Sequence, residues 1–136
     1  GASENYQKPL KEFGESIGVA FQLVDDIIDI QSTKSQSGKI AGTDLLAGVP
    51  TLPVLLLADH QDSASKQLLV DITEHLDEST LPEILVRLRA HQVMEQARLE
   101  TLRWADKAID ALSDVPDSRV RKALEAFARA VVDRKG

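Results

Sequence analysis

The sequence contains no cysteine and few aromatic residues. Without cysteine the chain can form no disulfide framework and can perform no thiol chemistry. One tryptophan, one tyrosine and three phenylalanines in 136 residues mean that aliphatic side chains must fill the core, since 43% of the residues are hydrophobic. This composition suits packed helices, and short turns between helical segments favour an all-α fold.

Long apolar runs and an excess of positive charge are also missing. No apolar run approaches the roughly 20 residues that a membrane span requires, so we expect no membrane span and a cytoplasmic protein. The net charge is −6 and the pI is near 5.0, which argues against a general attraction to nucleic acid or to anionic lipid. An anionic ligand would therefore need local cations or a metal ion.

A stripe of carboxylates is the most informative feature that the sequence does contain. The segment FQLVDDIID at residues 21–29 lies within a long apolar stretch. On a helix with about 100° per residue, Gln22, Asp25, Asp26 and Asp29 share one narrow face. Like charges at these spacings destabilise a helix, and Lys11, the stripe's only cation, lies several turns away. The pattern therefore indicates that a positive charge is missing beside the aspartates.

Two interpretations of this stripe are open. Closely spaced carboxylates without a side-chain partner suit Mg²⁺, which bridges to substrate phosphates and keeps some of its waters. A solvated acidic face is the alternative, and for an arbitrary DDxxD sequence it is the commoner case. The three histidines show no metal-binding spacing such as HxxxH or HExxH, so we assign no metal or general-base role to them.

The segment after the stripe favours the metal interpretation. It is rich in glycine, serine, threonine and proline, which predicts an ordered functional loop over residues 34–47. FQLVDDIID, then GK at residues 38–39, GTDL at 42–45 and TLP at 51–53 follow one another in order. This ordered set resembles the second aspartate-rich region of the trans-isoprenyl diphosphate synthases, the family of farnesyl, geranylgeranyl and polyprenyl diphosphate synthases. Residues 112–134 also resemble the carboxyl end of bacterial polyprenyl synthases.

The resemblance implies a fold and a reaction. The fold would be the C-terminal part of the all-α helical isoprenoid (polyprenyl) synthase fold. The reaction would be Mg²⁺-assisted prenyl transfer, in which an allylic diphosphate ionises, condenses with isopentenyl diphosphate and loses a proton to give a longer trans-polyprenyl diphosphate. The family carries a first aspartate-rich motif upstream, whereas this sequence contains no other DD pair. We therefore expect residues 1–136 to be the C-terminal fragment of a single synthase domain, inactive by itself.

The resemblance also implies residue roles. Asp25 would bind Mg²⁺ directly, while Asp26 and Asp29 would act mainly through metal-bound water. Lys39 would hold the diphosphate of the allylic substrate, and the Phe21-Gln22 pair would line the allylic pocket. The family forms homodimers, so a homo-oligomer or an association with the missing N-terminal part is expected.

One departure from the family concerns the loop. Many members carry a basic residue just before TLP, where this chain has Val49-Pro50. Neutralisation of the diphosphate would therefore depend more heavily on Lys39 and on metal.

Two alternatives remain to the enzyme. A non-catalytic subunit of a heteromeric prenyl synthase would keep the fold but would usually lose the aspartates, which are intact here. A structural helical bundle with an acidic face would have no use for the GK and GTDL motifs.

Capping residues and apolar spacing predict the helices. Thr51 is expected to cap the helix that contains Pro53, and Ser79 or Thr80 is expected to cap the helix that contains Pro82. The predicted helices cover residues 7–32, 51–58, 66–75, 81–90 and 91–112, with a last one from residue 116.

Overall fold

A computed structural model describes residues 2–32 and 41–134, with side chains from residue 6 onward. These residues form helices and no strand, which confirms the all-α prediction. In chain order the helices are α1 (Ala2–Gln31), α2 (Thr43–Leu46), α3 (Leu52–Leu57), α4 (Ser63–Glu74), α5 (Leu81–Arg89), α6 (Val93–Ala111) and α7 (Ser118–Val132), with a short 3-10 turn at Leu112–Asp114. None of the described helices is long and apolar enough to cross a membrane.

Several predicted helix bounds differ from the structure, and the two largest differences concern the first helix and the predicted loop. The first helix begins at Ala2 rather than near residue 7, and it continues through Pro9. The proline removes only one backbone hydrogen bond, and its ring is buried, so the helix continues on both sides of it. The predicted loop over residues 34–47 contains the four-residue helix α2. Four residues are too few to show a helical period of apolar side chains, so the sequence did not indicate this helix.

Helix capping follows the prediction only in part. Asp62 accepts the backbone N–H of Ser65 at the start of α4, and Asp117 does the same for Arg119 at the start of α7. Thr51 and Thr80 occupy the N-cap positions of α3 and α5 as predicted, but their side chains make no capping hydrogen bond. Thr80 instead donates its hydroxyl to the carbonyl oxygen of His75.

The described chain divides into two compact units. One comprises residues 2–24 and 99–134, and the other comprises residues 25–98. In the first unit a core forms from one face of α1, the end of α6 and α7. Its buried members are Phe13, Ile17, Ala20, Ala108, Leu112, Val115, Ala128 and Val131.

The second unit has its own core, built around the end of α1 and the helices α3, α4 and α5. Its buried members are Ile27, Ile30, Leu45, Leu57, Leu68, Ile72, Leu81, Ile84, Leu85, Leu88, Val93, Met94 and Ala97. The almost wholly apolar sequence of α3 predicts a helix buried on all sides, but Leu55 is 56% exposed while Leu57 is only 1% exposed. A six-residue helix that packs by one face leaves the other face open.

Gly42 turns the chain into α2 at a place where another residue would not fit. Its φ is +83°, a conformation that residues with a Cβ rarely adopt. A Cβ at this position would also lie 2.9 Å from Cδ1 of Leu81 and 3.3 Å from Cδ1 of Leu85. Both the backbone conformation and the packing of α5 therefore favour glycine.

A pair of substitutions separates these two requirements. Gly48 has a similar φ of +79°, but a Cβ there would meet nothing within 4 Å. We expect Gly48→Ala to destabilise the fold by about 1 to 2 kcal/mol through backbone strain alone. Gly42→Ala should cost about 1 to 3 kcal/mol more because it also overpacks the core. Chemical denaturation of both variants measures the difference, and equal losses would contradict the steric role of Gly42.

Candidate functional site

The three aspartates of the stripe lie in the last two turns of α1 and differ in their exposure. Asp25 is half-buried, whereas Asp26 and Asp29 are each only 7% exposed. All three belong to the second unit. The stripe is therefore not one uniform polar face, because two of its carboxylates are enclosed by the polypeptide that follows α1.

Asp26 holds the start of α3. Its Oδ2 accepts the backbone N–H of Leu52 at 3.1 Å, the first residue of that helix. The first four N–H groups of a helix have no partner within it, and the side chain of Thr51 does not supply one. A carboxylate distant in sequence thus performs the capping that we assigned to Thr51.

Asp29 holds the segment that leads into α2. Its backbone oxygen accepts the N–H of Gly42 at 2.7 Å, and its Oδ1 accepts the N–H of Asp44 at 3.4 Å. The GTDL motif is therefore bound to the end of α1 through its main chain.

Arg89, at the end of α5, binds the end of α1 as well. Its Nε donates to the carbonyl oxygen of Ile30 at 2.7 Å, and its Nη2 donates to that of Ser32 at 3.0 Å. No sequence pattern singles out Arg89. The sequence indicates only that some cation is needed at this place, because α1 has no basic residue in its last turn although three acidic residues lie near that end.

The donor set at this end of α1 fits a hard divalent cation. Carboxylate oxygens are the ligands that Mg²⁺ prefers, and Asp25 is the most exposed of the three carboxylates. Among the described residues, no three histidine or acidic side chains converge on one metal position. The predicted roles of Asp25 as a direct ligand, and of Asp26 and Asp29 through water, therefore stay predictions.

The predicted substrate contacts fall in the first unit or outside the described residues. Lys39 falls outside the described residues. Phe21 and Gln22 belong to the first unit, where both are exposed, Phe21 by 45%. The guanidinium carbon of Arg134 lies 4.1 Å from the centre of the Phe21 ring, a cation–π contact. The roles of Lys39, Phe21 and Gln22 in substrate binding therefore stay predictions.

Two histidines that are distant in sequence come together in the second unit. The rings of His60 and His91 pack edge to face with their centroids 4.9 Å apart. Gln96 lies 3.0 Å from Nε2 of His60, and Gln92 lies 3.2 Å from its Nδ1. Sequence spacing could not reveal this pair, because the two residues lie in turns that only the fold brings together.

The hydrogen bonds of His91 define its protonation state. Its Nδ1 accepts the backbone N–H of Val93 at 3.0 Å, so the proton of the neutral ring is on Nε2. This Nε2 donates to the hydroxyl of Ser65 at 2.7 Å, and that hydroxyl donates to Asp62. The serine proton is directed at the carboxylate rather than at the imidazole. The arrangement is therefore not that of an activated nucleophile.

The electrostatics of His91 favour the neutral ring. Burial lowers the pKa of His91, and repulsion from His60 lowers it further, while the Asp62 carboxylate opposes both effects. Hydrogen bonds from the hydroxyl and then the backbone N–H of Ser65 lower the pKa of Asp62. At neutral pH the cluster thus combines a charged Asp62 with a neutral His91.

This cluster predicts a loss of stability in mild acid. Because the pKa of His91 is lower in the folded state, the unfolded state binds more protons below its ordinary pKa near 6.5. The free energy of unfolding should therefore fall from pH 7 to pH 5, by at most about 1.4 kcal/mol per pH unit for one proton.

Urea denaturation of the protein and of His91→Gln over this pH range measures the effect. The variant should show a flatter dependence, whereas His75→Gln, which changes an exposed histidine, should keep the parental slope. An unchanged slope in His91→Gln would contradict the assignment.

Comparison with known proteins places these features in a family. The family model described as polyprenyl synthetase matches residues 1–88. The octaprenyl diphosphate synthase of Haemophilus influenzae is 33% identical over 135 residues, which cover 98% of this chain and 41% of that protein. The nonaprenyl diphosphate synthase of Mycobacterium tuberculosis is 37% identical over 138 residues, which cover 100% of this chain and 41% of the relative.

A solved structure shows the same relationship. The geranylgeranyl pyrophosphate synthase of Corynebacterium glutamicum, solved with calcium and isoprenyl diphosphate, superposes with a TM-score of 0.82 at 38% identity. The match covers 94% of this chain and 40% of that one. This chain thus spans about two fifths of the length of the relatives that it matches. Because the family model covers well over half of its residues, the chain belongs to the polyprenyl synthetase family.

Proposed function

We propose that this chain is part of an enzyme that condenses an allylic diphosphate with isopentenyl diphosphate to form a longer trans-polyprenyl diphosphate. The observation that carries the proposal is the intact Asp25-Asp26-Asp29 set at the end of α1 in a member of this family. The named relatives are octaprenyl and nonaprenyl diphosphate synthases, which supports a prenyltransferase. The chain would supply the second metal and diphosphate motif of the enzyme.

The difficult step of such a reaction is the departure of diphosphate. The carbon–oxygen bond of the allylic diphosphate breaks, and its electron pair leaves with the diphosphate. The double bond of isopentenyl diphosphate attacks the resulting allylic cation, and loss of a proton then restores a double bond. Mg²⁺, when bound, would neutralise the charge that develops on the leaving diphosphate.

The residues of the second unit would act on the metal in different ways. Asp25 would donate an oxygen directly, since its carboxylate is the most exposed of the three. Asp26 and Asp29 would act through metal-bound water while their oxygens also accept backbone N–H groups. These N–H bonds would hold the two side chains in place before substrate arrives, which lowers the cost of organising the site.

Three further residues would contact the substrate. Lys39 would bind the allylic diphosphate as a point charge. The exposed ring of Phe21 would form part of an apolar wall that excludes water from the cation, with Gln22 beside it on α1.

The remaining parts of the enzyme would lie outside residues 1–136. The chain spans about two fifths of the length of its relatives, and we propose that an N-terminal part with a first aspartate-rich motif completes the metal site. Exposed apolar side chains such as Phe21, Leu55 and Phe127 are consistent with association with that part or with a second copy. A cytoplasmic location and a homo-oligomeric state stay predictions from the sequence.

A non-catalytic subunit of a heteromeric synthase remains the second candidate. Loss of catalysis would remove the selection for metal ligands, whereas the full DDxxD set is present here. The catalytic role is therefore the better supported of the two.

A product assay tests the proposal. The complete protein that carries this chain would be incubated with isopentenyl diphosphate, Mg²⁺ and, in turn, geranyl, farnesyl or geranylgeranyl diphosphate, and the products would be identified by mass spectrometry. We expect Mg²⁺-dependent addition of five-carbon units to at least one allylic substrate. Absence of elongation with all three substrates would overturn the catalytic assignment.

A further inference from the structure

Arg89 connects α5 to the end of α1 that carries the aspartates. Its guanidinium is half-buried and donates two hydrogen bonds, from Nε to the carbonyl oxygen of Ile30 and from Nη2 to that of Ser32. The two bonds are 2.7 and 3.0 Å long. Charged donors at such distances make strong hydrogen bonds, and the planar fork of arginine fixes the direction of both.

The end of α1 is a place where negative charge accumulates. The last four carbonyl groups of a helix have no partner within it, and the helix dipole places roughly half a negative charge there. Three aspartates lie in the same two turns, and the last turn contains no basic residue. Arg89 brings a positive charge from another helix to this position.

The contacts of Arg89 are adjacent to those that hold Asp29. The backbone oxygen of Asp29 accepts the N–H of Gly42, and the next carbonyl along the helix, that of Ile30, accepts Nε of Arg89. Ile30 is completely buried. The carbonyl oxygens of this last turn thus accept hydrogen bonds from the Gly42 backbone and from the Arg89 side chain. Together with the buried Ile30 side chain, these bonds fix the rotation of the turn, and with it the direction of the Asp29 side chain.

We propose that Arg89 is a positioning residue for the metal-binding carboxylates of α1. It would not touch the metal or the diphosphate, and it would act by holding the last turn in the rotation that presents the carboxylates. This inference rests on the proposed function, because it assumes that Mg²⁺ binds the α1 carboxylates.

The charge of Arg89 and its hydrogen bonds have opposite effects on metal binding. Removal of a positive charge alone would make the site more negative and would strengthen Mg²⁺ binding. Loss of the two hydrogen bonds would let the last turn of α1 fray, and this would weaken Mg²⁺ binding. The direction of the change therefore separates positioning from simple electrostatics.

Arg87 provides a matched control on the same helix. Its guanidinium binds Asp71 of α4 at 2.6 Å, so Arg87→Met removes an interhelical arginine contact that does not involve α1. Arg89→Met removes the two bonds to α1, and Arg89→Lys keeps the charge but replaces the fork by a single point of contact.

The experiment uses the complete protein that carries this chain and has two readouts. The first is the Mg²⁺ concentration that gives half-maximal turnover. The second is the rise in Tm that Mg²⁺ and inorganic pyrophosphate produce together, which requires no turnover.

For Arg89→Met we expect the Mg²⁺ concentration at half-maximal turnover to rise about tenfold. This is the lower end of the loss in metal affinity that follows when a residue that orients metal ligands is replaced. Its Tm rise should be smaller than that of the parent, and Arg89→Lys should lie between the two. Arg87→Met should lower the Tm without ligand but keep the parental Mg²⁺ requirement and Tm rise.

An Arg89→Met variant that matches Arg87→Met in both readouts, or that needs less Mg²⁺ than the parent, would overturn the inference. A parent whose Tm does not respond to Mg²⁺ and pyrophosphate would overturn it as well. If the parent shows this Tm response but no prenyl transfer, the proposed function fails, and the Tm rises of the variants still decide the role of Arg89.

Discussion

Replacement of Asp25 by alanine is expected to reduce the kcat of the complete enzyme at least about 100-fold at saturating Mg²⁺. Asp25 is the most exposed of the three carboxylates at the end of α1 and the one that we propose as a direct ligand. A group that acts on charge developing in the transition state contributes a few kcal/mol, and 100-fold corresponds to about 2.7 kcal/mol. Steady-state kinetics with saturating substrates measures this loss.

A control is needed to show that the loss is local. Asp106 is an exposed aspartate of α6, and Asp106→Ala removes the same charge while leaving the α1 carboxylates intact. We expect Asp106→Ala to retain near-parental kcat. If Asp25→Ala also turned over at a near-parental rate, the assignment of Asp25 as a metal ligand would be wrong.

Asp26→Ala is expected to lower both stability and activity. Its Oδ2 accepts the backbone N–H of Leu52 at the start of α3, and no side-chain cap from Thr51 replaces that bond. A part-buried N–H left without a partner costs about 1 to 3 kcal/mol of unfolding free energy. Asp25→Ala should destabilise the fold less, because Asp25 is the more exposed residue.

Asp26→Asn separates the two effects. The amide keeps an oxygen that can accept the N–H of Leu52 but removes the negative charge. We therefore expect Asp26→Asn to recover most of the stability that Asp26→Ala loses, while its kcat stays low. Denaturant midpoints and kinetics on the same preparations test this, and an Asp26→Ala variant as stable as the parent would refute the capping role.

The sequence allowed the general architecture and the carboxylate motif to be predicted. Apolar spacing located most of the helices, including α5 and α6, which end and begin beside His91 as expected. The three aspartates could be assigned to one face of a helix because the helical period determines which residues share a face. The ordered motifs then identified the family, which the comparisons confirm.

The contacts that organise the site could not be predicted in this way. Asp26 caps a helix 26 residues away, and Arg89 binds carbonyl groups 57 and 59 residues away. Capping rules consider only neighbouring residues, so they assigned the start of α3 to Thr51. The His60–His91 pair also depends on packing between two turns. Such long-range bonds require coordinates, because no local pattern encodes them.

Calorimetric titration with a non-hydrolysable allylic thiodiphosphate, with and without Mg²⁺, tests most directly whether the α1 aspartates bind diphosphate through metal. In the complete protein we predict Mg²⁺-dependent binding that weakens at least about tenfold in Asp25→Ala and is unchanged in Asp106→Ala. Equal affinity for the analogue in the parent protein and in Asp25→Ala, or equal affinity with and without Mg²⁺, would contradict this role for the carboxylates.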